Sequence, residues 1–403
     1  MAVSSRTRHH VFLASNMWGD LWITQQPVCY EIQRSERILY VERPVSVFTV
    51  IRYPRMWRRL FTWLLGARTE TGRLSLLAPL PLFHMGHRFP LLFAAEFYIQ
   101  RLWIMIFARR LGSGERVLWI DNPLYHLAFH KMGESVRVYY AADEFPAFPQ
   151  SHRPTAEALE QAAVSSADLV FAAASGLADR KRPLNPHTHA IWNAIDAALF
   201  FAPDDISVAA EVEAVPEPRV SFVGVLAEWV DVDLLRDVAS LMPDVHFVVV
   251  GPSRIDDAAL RQLANVHWFG PRPRAEVPTI LRRCSASLVP FRRTRLTESI
   301  LPLKVFEALA AGVMPVCTPF SSDLDILARD GLVAAAEGCV AFASAIRRAV
   351  EADTPSQRTR LQAFGLRQTW ADRWRQMEAV ITDSQALRRA TAKPATKLGT
   401  QHG

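Results

Sequence analysis

A chain of 403 residues has room for about two domains of ordinary size. Half of it is hydrophobic and 21% is charged, which is a globular composition with a large core and excludes a largely unfolded chain. The net charge of +6 points to an anionic partner, and nucleic acid, an anionic membrane surface and a nucleotide diphosphate all qualify. The four cysteines, Cys29, Cys284, Cys317 and Cys339, form no C-x-x-C pair and sit in apolar surroundings, so buried thiols in a reducing compartment are expected. Residues 1–10 are polar and the apolar segment after them is interrupted by Asp20, so no secretory leader is expected. The longest apolar stretch, 90–108, contains Glu96, Gln100 and Arg101. Spanning a bilayer would bury such charges at roughly 2.5–3.5 kcal/mol each, so a core helix is expected there.

In chain order, residues 11–14 predict a first strand, 21–35 a helix and 37–42 a second strand, which opens a doubly wound domain. The G-x-G-x-x-G fingerprint is missing, so no dinucleotide cofactor is expected. Within 52–65, Arg55, Arg58, Arg59 and Thr62 share one helical stripe, and Met56, Trp57, Leu60, Phe61 and Leu64 the other side. An interfacial membrane helix and a packed helix with a solvated basic face both fit that pattern. Strands are predicted at 73–81, 117–121 and 136–141, and Asp143 follows the last of these. A carboxylate beyond a strand's carboxyl end can serve as general base, or cap a turn or helix; Glu144 competes for the same role. A helix over 155–166, a strand over 168–172, a helix from Ser175 and a strand over 189–192 complete this half.

Residues 203–218 are acidic and bounded by prolines, which predicts a linker between an N-terminal domain, 1–202, and a C-terminal one, 219–387. Strands are predicted at 219–224, 246–252 and 266–270, and a helix over 272–283. The chain then reaches its most informative stretch, 284–323. Ser287-Leu288-Val289-Pro290-Phe291 reads as a buried strand near its end, and Arg292, Arg293, Thr294 and Arg295 as a basic loop. Pro302 suits the first turn of a helix, Val305, Phe306, Leu309 and Ala310 recur at helical spacing, and Gly312 is placed to stop it. In an open α/β sheet, ligands bind at the carboxyl ends of strands. A helix start carrying Lys304 there suits a diphosphate, and Glu307, three residues on, could accept from two ribose hydroxyls. Helix-rich sequence runs to about residue 387, and the basic, polar 388–403 is expected to be disordered.

The stretch resembles the nucleotide-sugar site of GT-B glycosyltransferases, which commonly carry a Glu, seven residues, a second Glu and an A-x-G-x-P-V run. Glu307 through Val316 matches the second half with one extra residue before Pro315; the first Glu position falls on Ser299, beside Glu298. Pro302-Leu303-Lys304-Val305-Phe306-Glu307 and the G-x-x-x-E-W-x-D form at Gly224, Glu228, Trp229 and Asp231 resemble teichuronic-acid-type transferases and, more distantly, the xanthan glucuronosyltransferase. The segment ending in Asp143 resembles that enzyme's Y-x-A-S-D, with Ala142 in place of Ser, and Asn193-Ala194-Ile195-Asp196 resembles the N-G-V-D turn that closes the first domain. The resemblance implies an α/β protein of GT-B fold, with two Rossmann-like doubly wound domains facing a cleft and closing C-terminal helices. It implies donor contacts from Gly224, Glu228, Gly270, Arg292, Arg293, Ser299, Lys304 and Glu307, and Asp143 as base. The arginine and lysine that many retaining members place after the 219–224 strand are missing, so Lys304 and the loop arginines would supply the positive charge.

Metal signals are weak. His84 and His87 have H-x-x-H spacing without a third ligand, and Asp231 with Asp233 and Asp323 with Asp325 are expected to cap or open helices. The expected function is a metal-independent hexosyltransferase with no separate cofactor. It would move sugar from a UDP- or GDP-type donor to a glycan or lipid-linked acceptor in cell-surface polysaccharide synthesis. It would be inverting if Asp143 is the base, with a retaining course otherwise open. A cytoplasmic place is expected, peripheral on the plasma membrane's inner face if 52–65 binds lipid. Two other functions remain: a nucleotide-sugar epimerase of the same fold, and a non-catalytic membrane-associated scaffold. Nucleic acid is not an expected partner, because the basic residues lie in foldable segments without a recognition module.

Overall fold

The computed structural model describes residues 7–19, 24–53, 57, 62–63, 65–82, 90–147 and 153–392. Most of the 52–65 stretch, including Arg55, Arg58 and Arg59, lies outside the described residues, as do His84 and His87.

Two sheets organise the chain. The first has the order β3-β4-β2-β1-β5-β6-β7-β8. Its strands are β1 (Arg8–Leu13), β2 (Arg37–Val41), β3 (Arg68–Thr71), β4 (Leu74–Leu77), β5 (Glu115–Ile120), β6 (Val136–Ala141), β7 (Leu169–Ala172) and β8 (Thr188–Ala190). β1 pairs in parallel with β2 on one side and β5 on the other, so the winding reverses at β1. β2, β5, β6 and β7 are near-continuous buried runs, as strands covered on both faces are. Phe12, Tyr40 and Trp119, all fully buried, stack across β2, β1 and β5 with centroids 5.9 Å apart. The second sheet has the order β11-β10-β9-β12-β13-β14. It contains β9 (Arg219–Val223), β10 (His246–Val250), β11 (Val266–Gly270), β12 (Ala286–Val289), β13 (Met314–Cys317) and β14 (Ala334–Ala335).

The chain forms two compact units, Met1–Tyr140 with Ala158–Phe171 and Trp374–Gly403, and Ala141–Glu157 with Ala172–Arg373. The last helix, Trp370–Ala392, enters the first unit because Trp374 packs edge-on to His10 and Glu378 takes Arg8 at 2.9 Å. That helix runs through residues 388–392, expected in a disordered tail; 393–403 lie outside the described residues.

Residues 203–218, expected as a linker, carry the helix Ile206–Glu213, capped by Asp205, whose carboxylate accepts from Ser207 N and Val208 N. Val208 and Val212, one turn apart, pack on Val248 and Ile280, so the segment is part of a core. The expected helix over 272–283 is a single turn, Arg274–Glu276, followed by Val277–Arg282 with Pro278 in its first turn. The antiparallel β3 was not expected: its polar residues Arg68–Thr71 give no apolar alternation, and its pairing with β4 supplies the signal instead. The 90–108 stretch is a helix, Pro90–Ala108. Among the described residues no helix is long and apolar enough to cross a membrane. Cys29, Cys284 and Cys317 are buried free thiols and Cys339 is half-buried; burial pushes the Cys284 thiol up to about 12.

Candidate functional site

The carboxyl edge of the second sheet carries three glycines in register. Gly224 N–H donates to Val250 O and Gly251 N–H to Gly270 O, each at 2.8 Å, and all three have positive φ. A Cβ on Gly251 would stand 2.0 Å from the carbonyl oxygen of Gly224, so only glycine lets these backbones meet. The loop after β9 is pinned here: Leu226 N–H reaches Pro252 O, Asp231 N–H reaches Pro290 O, and Arg292 N–H reaches Trp229 O. Glu228 rides on this loop as an exposed carboxylate. The loops leaving β9, β10 and β12 therefore meet in one place.

The Leu303–Ala310 helix begins against them. Val305, Phe306, Leu309 and the alanines bury one face, and Gly312, with φ +78°, ends the helix as expected. Pro302 is the residue just before the first turn, where its fixed φ suits an N-cap. Lys304 turns inward from the first turn. Its Nζ lies 4.6 Å from the Phe222 ring centre and 5.3 Å from that of Phe291. A Cβ on Gly224 would come within 2.1 Å of that Nζ, so the glycine's missing side chain is the space the ammonium occupies. Burial among the rings lowers the Lys304 pKa to about 8, against the nearby charge of Glu307. Glu307 is half-buried, and burial raises its pKa while Arg274 and Lys304 pull it down.

The loop arginines are already matched. Arg292 faces Asp233 at 3.3 Å, Arg293 faces Glu298 at 2.9 Å, and Arg295 holds Glu144 and Glu157, each at 2.9 Å. Lys304 has no carboxylate at ion-pair distance among the described residues. A charged amine at a helix start, ringed by aromatic faces and without a carboxylate at ion-pair distance, is able to meet an external anion.

Ser299 belongs to a second cluster. It is fully buried, donates to Arg295 O at 2.7 Å and receives a hydrogen bond from Arg180. Glu144, 1% exposed, stands among Arg295 at 2.9 Å, Arg180 at 3.6 Å and Lys181 at 3.7 Å. Glu144 is thus committed to charge pairing, whereas Asp143 beside it is an exposed residue. Surrounding protein pushes the Asp143 carboxyl up, to about 6. A carboxyl so raised takes a proton more readily than a free aspartate.

Of the residues expected from sequence, Gly224, Lys304 and Glu307 come together, Glu228, Arg292 and Gly270 lie on the loops around them, and Ser299 sits with Glu144, Arg180 and Arg295. Sequence reasoning missed Arg274, whose charge acts on Glu307, and the Phe222 and Phe291 collar. The collar could have been found: both phenylalanines end apolar runs at strand ends. Arg274, the second of two arginines that alternate with two prolines after β11, carried no distinguishing signal. Asp231 caps the Val232–Leu241 helix through Leu234 N. Asp323 is buried, accepting from Ser175 N at 2.8 Å and Trp192 Nε1 at 3.1 Å. Among the described residues no three His, Cys, Asp or Glu side chains gather to hold a metal ion.

Residues 217–352 match the family described as glycosyl transferases group 1. The teichuronic acid biosynthesis glycosyltransferase named TuaH, of Bacillus subtilis, is 28% identical over 138 residues, 33% of this chain and 35% of that protein. The chain thus spans about a third of the length of that curated relative. Among solved structures, Anabaena Alr3699/HepE in complex with UDP is similar at a TM-score of 0.66 and 14% identity, over 93% of this chain and 100% of that one. The same protein with UDP-glucose gives 0.64 at 13% identity, over 93% and 99%. Sucrose-phosphate synthase from Thermosynechococcus elongatus gives 0.66 at 15% identity, over 96% and 100%.

Proposed function

We propose that this chain, which has the GT-B fold and carries a group 1 glycosyltransferase domain over residues 217–352, transfers a sugar from a nucleoside-diphosphate donor. The observation that carries this reading is Lys304: an unneutralised ammonium at a helix start, fitted into the space left by Gly224. There it meets the diphosphate and stabilises the charge that grows as the sugar departs. Glu307 accepts from the ribose hydroxyls. Arg292 and Arg293, exposed and only loosely held by Asp233 and Glu298, add charge from the loop. Gly224, Glu228 and Gly270 line the donor, and Ser299 acts from behind by fixing the loop through Arg295. No cofactor or metal beyond the donor enters this scheme.

The base is uracil by preference over guanine, since the HepE structures hold UDP and UDP-glucose. Asp143, raised in pKa and exposed, takes the proton of the acceptor hydroxyl, which makes the transfer inverting. The acceptor is a glycan or lipid-linked sugar in surface-polysaccharide synthesis, in keeping with the relative named for teichuronic acid. The basic, aromatic 52–65 stretch would hold the protein to the anionic inner face of the membrane.

Calorimetry tests the donor site. Lys304→Ala removes a charge-assisted contact worth about 1.5–3 kcal/mol, so UDP should bind about 10–150-fold more weakly. Affinity within a factor of two of the unmodified protein refutes the site. Single-turnover kinetics test the base: Asp143→Asn should slow transfer about 10²–10⁴-fold at unchanged UDP affinity. A near-normal rate removes Asp143 as base and with it the argument for inversion.

A further inference from the structure

The first unit contains a cavity that the donor chemistry does not use. Leu13 and Ala14 at the end of β1, Val41 and Glu42 at the end of β2, and Leu124 and Tyr125 after β5 form one side. The Pro90–Ala108 helix closes the other side with Phe97, Gln100, Arg101 and Ile104. Its empty volume is about 650 Å³, part of it open to solvent. Its position, outside the carboxyl ends of strands where the winding reverses at β1, is where open α/β sheets bind ligands.

The lining decides what can enter. Its carbon surface is nearly continuous, and its polar side chains are engaged. Glu42 accepts from Trp18 N at 3.0 Å. Gln100 takes Leu80 N at 3.0 Å and gives to Leu80 O at 2.5 Å. Arg101 gives to Lys131 O at 2.5 Å, and Tyr125 OH to Ala14 O at 3.4 Å. Glu96, 5% exposed, is also partnered. A sugar ring would bury most of its hydroxyls here against carbon, at a cost of about 1–3 kcal/mol for each left unpaired. A hydrocarbon chain needs no such partners and gains about 0.8 kcal/mol per buried CH₂.

A second observation places that chain next to a lipid source. The helix that walls the cavity turns Tyr98, Ile99, Leu102 and Ile106 to solvent, each 47–63% exposed. Arg109 and Arg110, both exposed, follow its end, and Lys131 lies over the rings of Phe97 and Tyr98. A helix apolar on both faces with a cationic edge fits an anionic lipid surface.

We propose that the cavity binds an aliphatic chain, acyl or prenyl, belonging to an amphipathic acceptor. This rests on the transferase reading above and narrows its acceptor to a lipid-linked one. The test uses a C12 alkyl phosphate bearing a chain-end diazirine, photolysed with the full-length protein and mapped by peptide mass spectrometry. Labels are expected on peptides carrying Leu13, Phe97, Ile104 or Leu124, competed by dodecyl phosphate and not by glycerol phosphate. Leu124 is 39% exposed at the cavity wall, so Leu124→Trp can block entry without disturbing the core. It should cut labelling about tenfold or more. UDP affinity, read on the same variant, should not change. Labels confined to the outward residues Tyr98, Leu102 and Ile106, labels unaffected by dodecyl phosphate, or full labelling of Leu124→Trp overturn the cavity assignment. If UDP fails to bind the unmodified protein while the cavity still labels, the transferase reading falls and the chain-binding site stands.

Discussion

The carboxyl edges of the two sheets are built in opposite ways. Above the second sheet, glycines open space, aromatic faces line it, and an ammonium is left without a counter-ion. Above the first, carbon lines the space and the polar groups at its wall are tied to the chain's own backbone. The same winding thus yields one edge suited to an anion and one suited to a hydrocarbon. What separates them is the state of their polar groups: without a counter-ion in one place and tied to the backbone in the other.

The sharpest way to break that contrast is to refill the space at the charged edge. Gly224→Ala would put a methyl 2.1 Å from Lys304 Nζ and hold an alanine at φ +141°. The lysine tip is flexible and should move aside, so UDP affinity should fall about 10–100-fold, with a stability loss of only about 1–3 kcal/mol from the strained backbone. Gly338→Ala, just before the Cys339–Glu351 helix, is the control. Its φ is +80°, but no atom lies within 4 Å of the new methyl, so it should lose about 1–2 kcal/mol of stability and keep UDP affinity within about threefold. Calorimetry and denaturant melts on both proteins decide the matter; equal losses of affinity would show that the space at Gly224 is not the ammonium's seat.

How much of this could be read in advance follows from the same division. Strand–loop–helix units declare themselves through apolar runs and terminal glycines, so β9, β10, β12 and the Leu303–Ala310 helix stand close to where sequence puts them. Lys304 and Glu307 were legible because one turn of helix fixes their common face. The counter-ions were not. That Arg292 meets Asp233, 59 residues earlier, and Arg295 meets Glu144, 151 earlier, depends on tertiary packing with no local trace. The cavity was equally hidden. Its wall helix reads as a core helix, and only the fold shows that one face of it borders a void while the other meets solvent.

Acid and base set the two edges apart on one axis. In the second unit, burial holds Lys304 at about 8, below its ordinary 10.5. The unfolded chain therefore carries more protons between about 8 and 10.5, and folding stability should rise with pH through that window. UDP affinity should move the other way, falling up to about tenfold per pH unit above about 8 as the ammonium is lost. In the first unit, Asp121, just after β5, is raised to about 6 by burial despite hydrogen bonds from Ser15. Its folded pKa exceeds the ordinary 3.8, so stability should be lost as pH rises from about 4 to about 6, with no change in UDP affinity attributable to it. Chemical melts and calorimetry across pH 4 to 10, repeated on Lys304→Met, separate the two. The methionine should abolish the alkaline rise in stability and the alkaline fall in affinity together. If either persists in Lys304→Met, the titrating group is not the one at the helix start.

The smallest effect is expected from Arg292→Ala. Arg292 is exposed and its 3.3 Å pair with Asp233 is a surface one, worth about 0–1 kcal/mol, so the melting temperature should hardly move. If the loop only supplements Lys304, UDP affinity should fall about two- to fivefold, and less at high salt, because an exposed charge is screened where a buried one is not. The comparison with Lys304→Ala then ranks two ways of meeting a diphosphate: a cation half-buried and unpaired in advance, or one that must leave a carboxylate and water to reach it. The first has its cost sunk into the fold, the second meets that cost at each binding event. Were Arg292→Ala to weaken UDP as much as Lys304→Ala, the diphosphate would be held by the loop, and the contrast between an unsatisfied edge and a satisfied one would no longer explain where the donor goes.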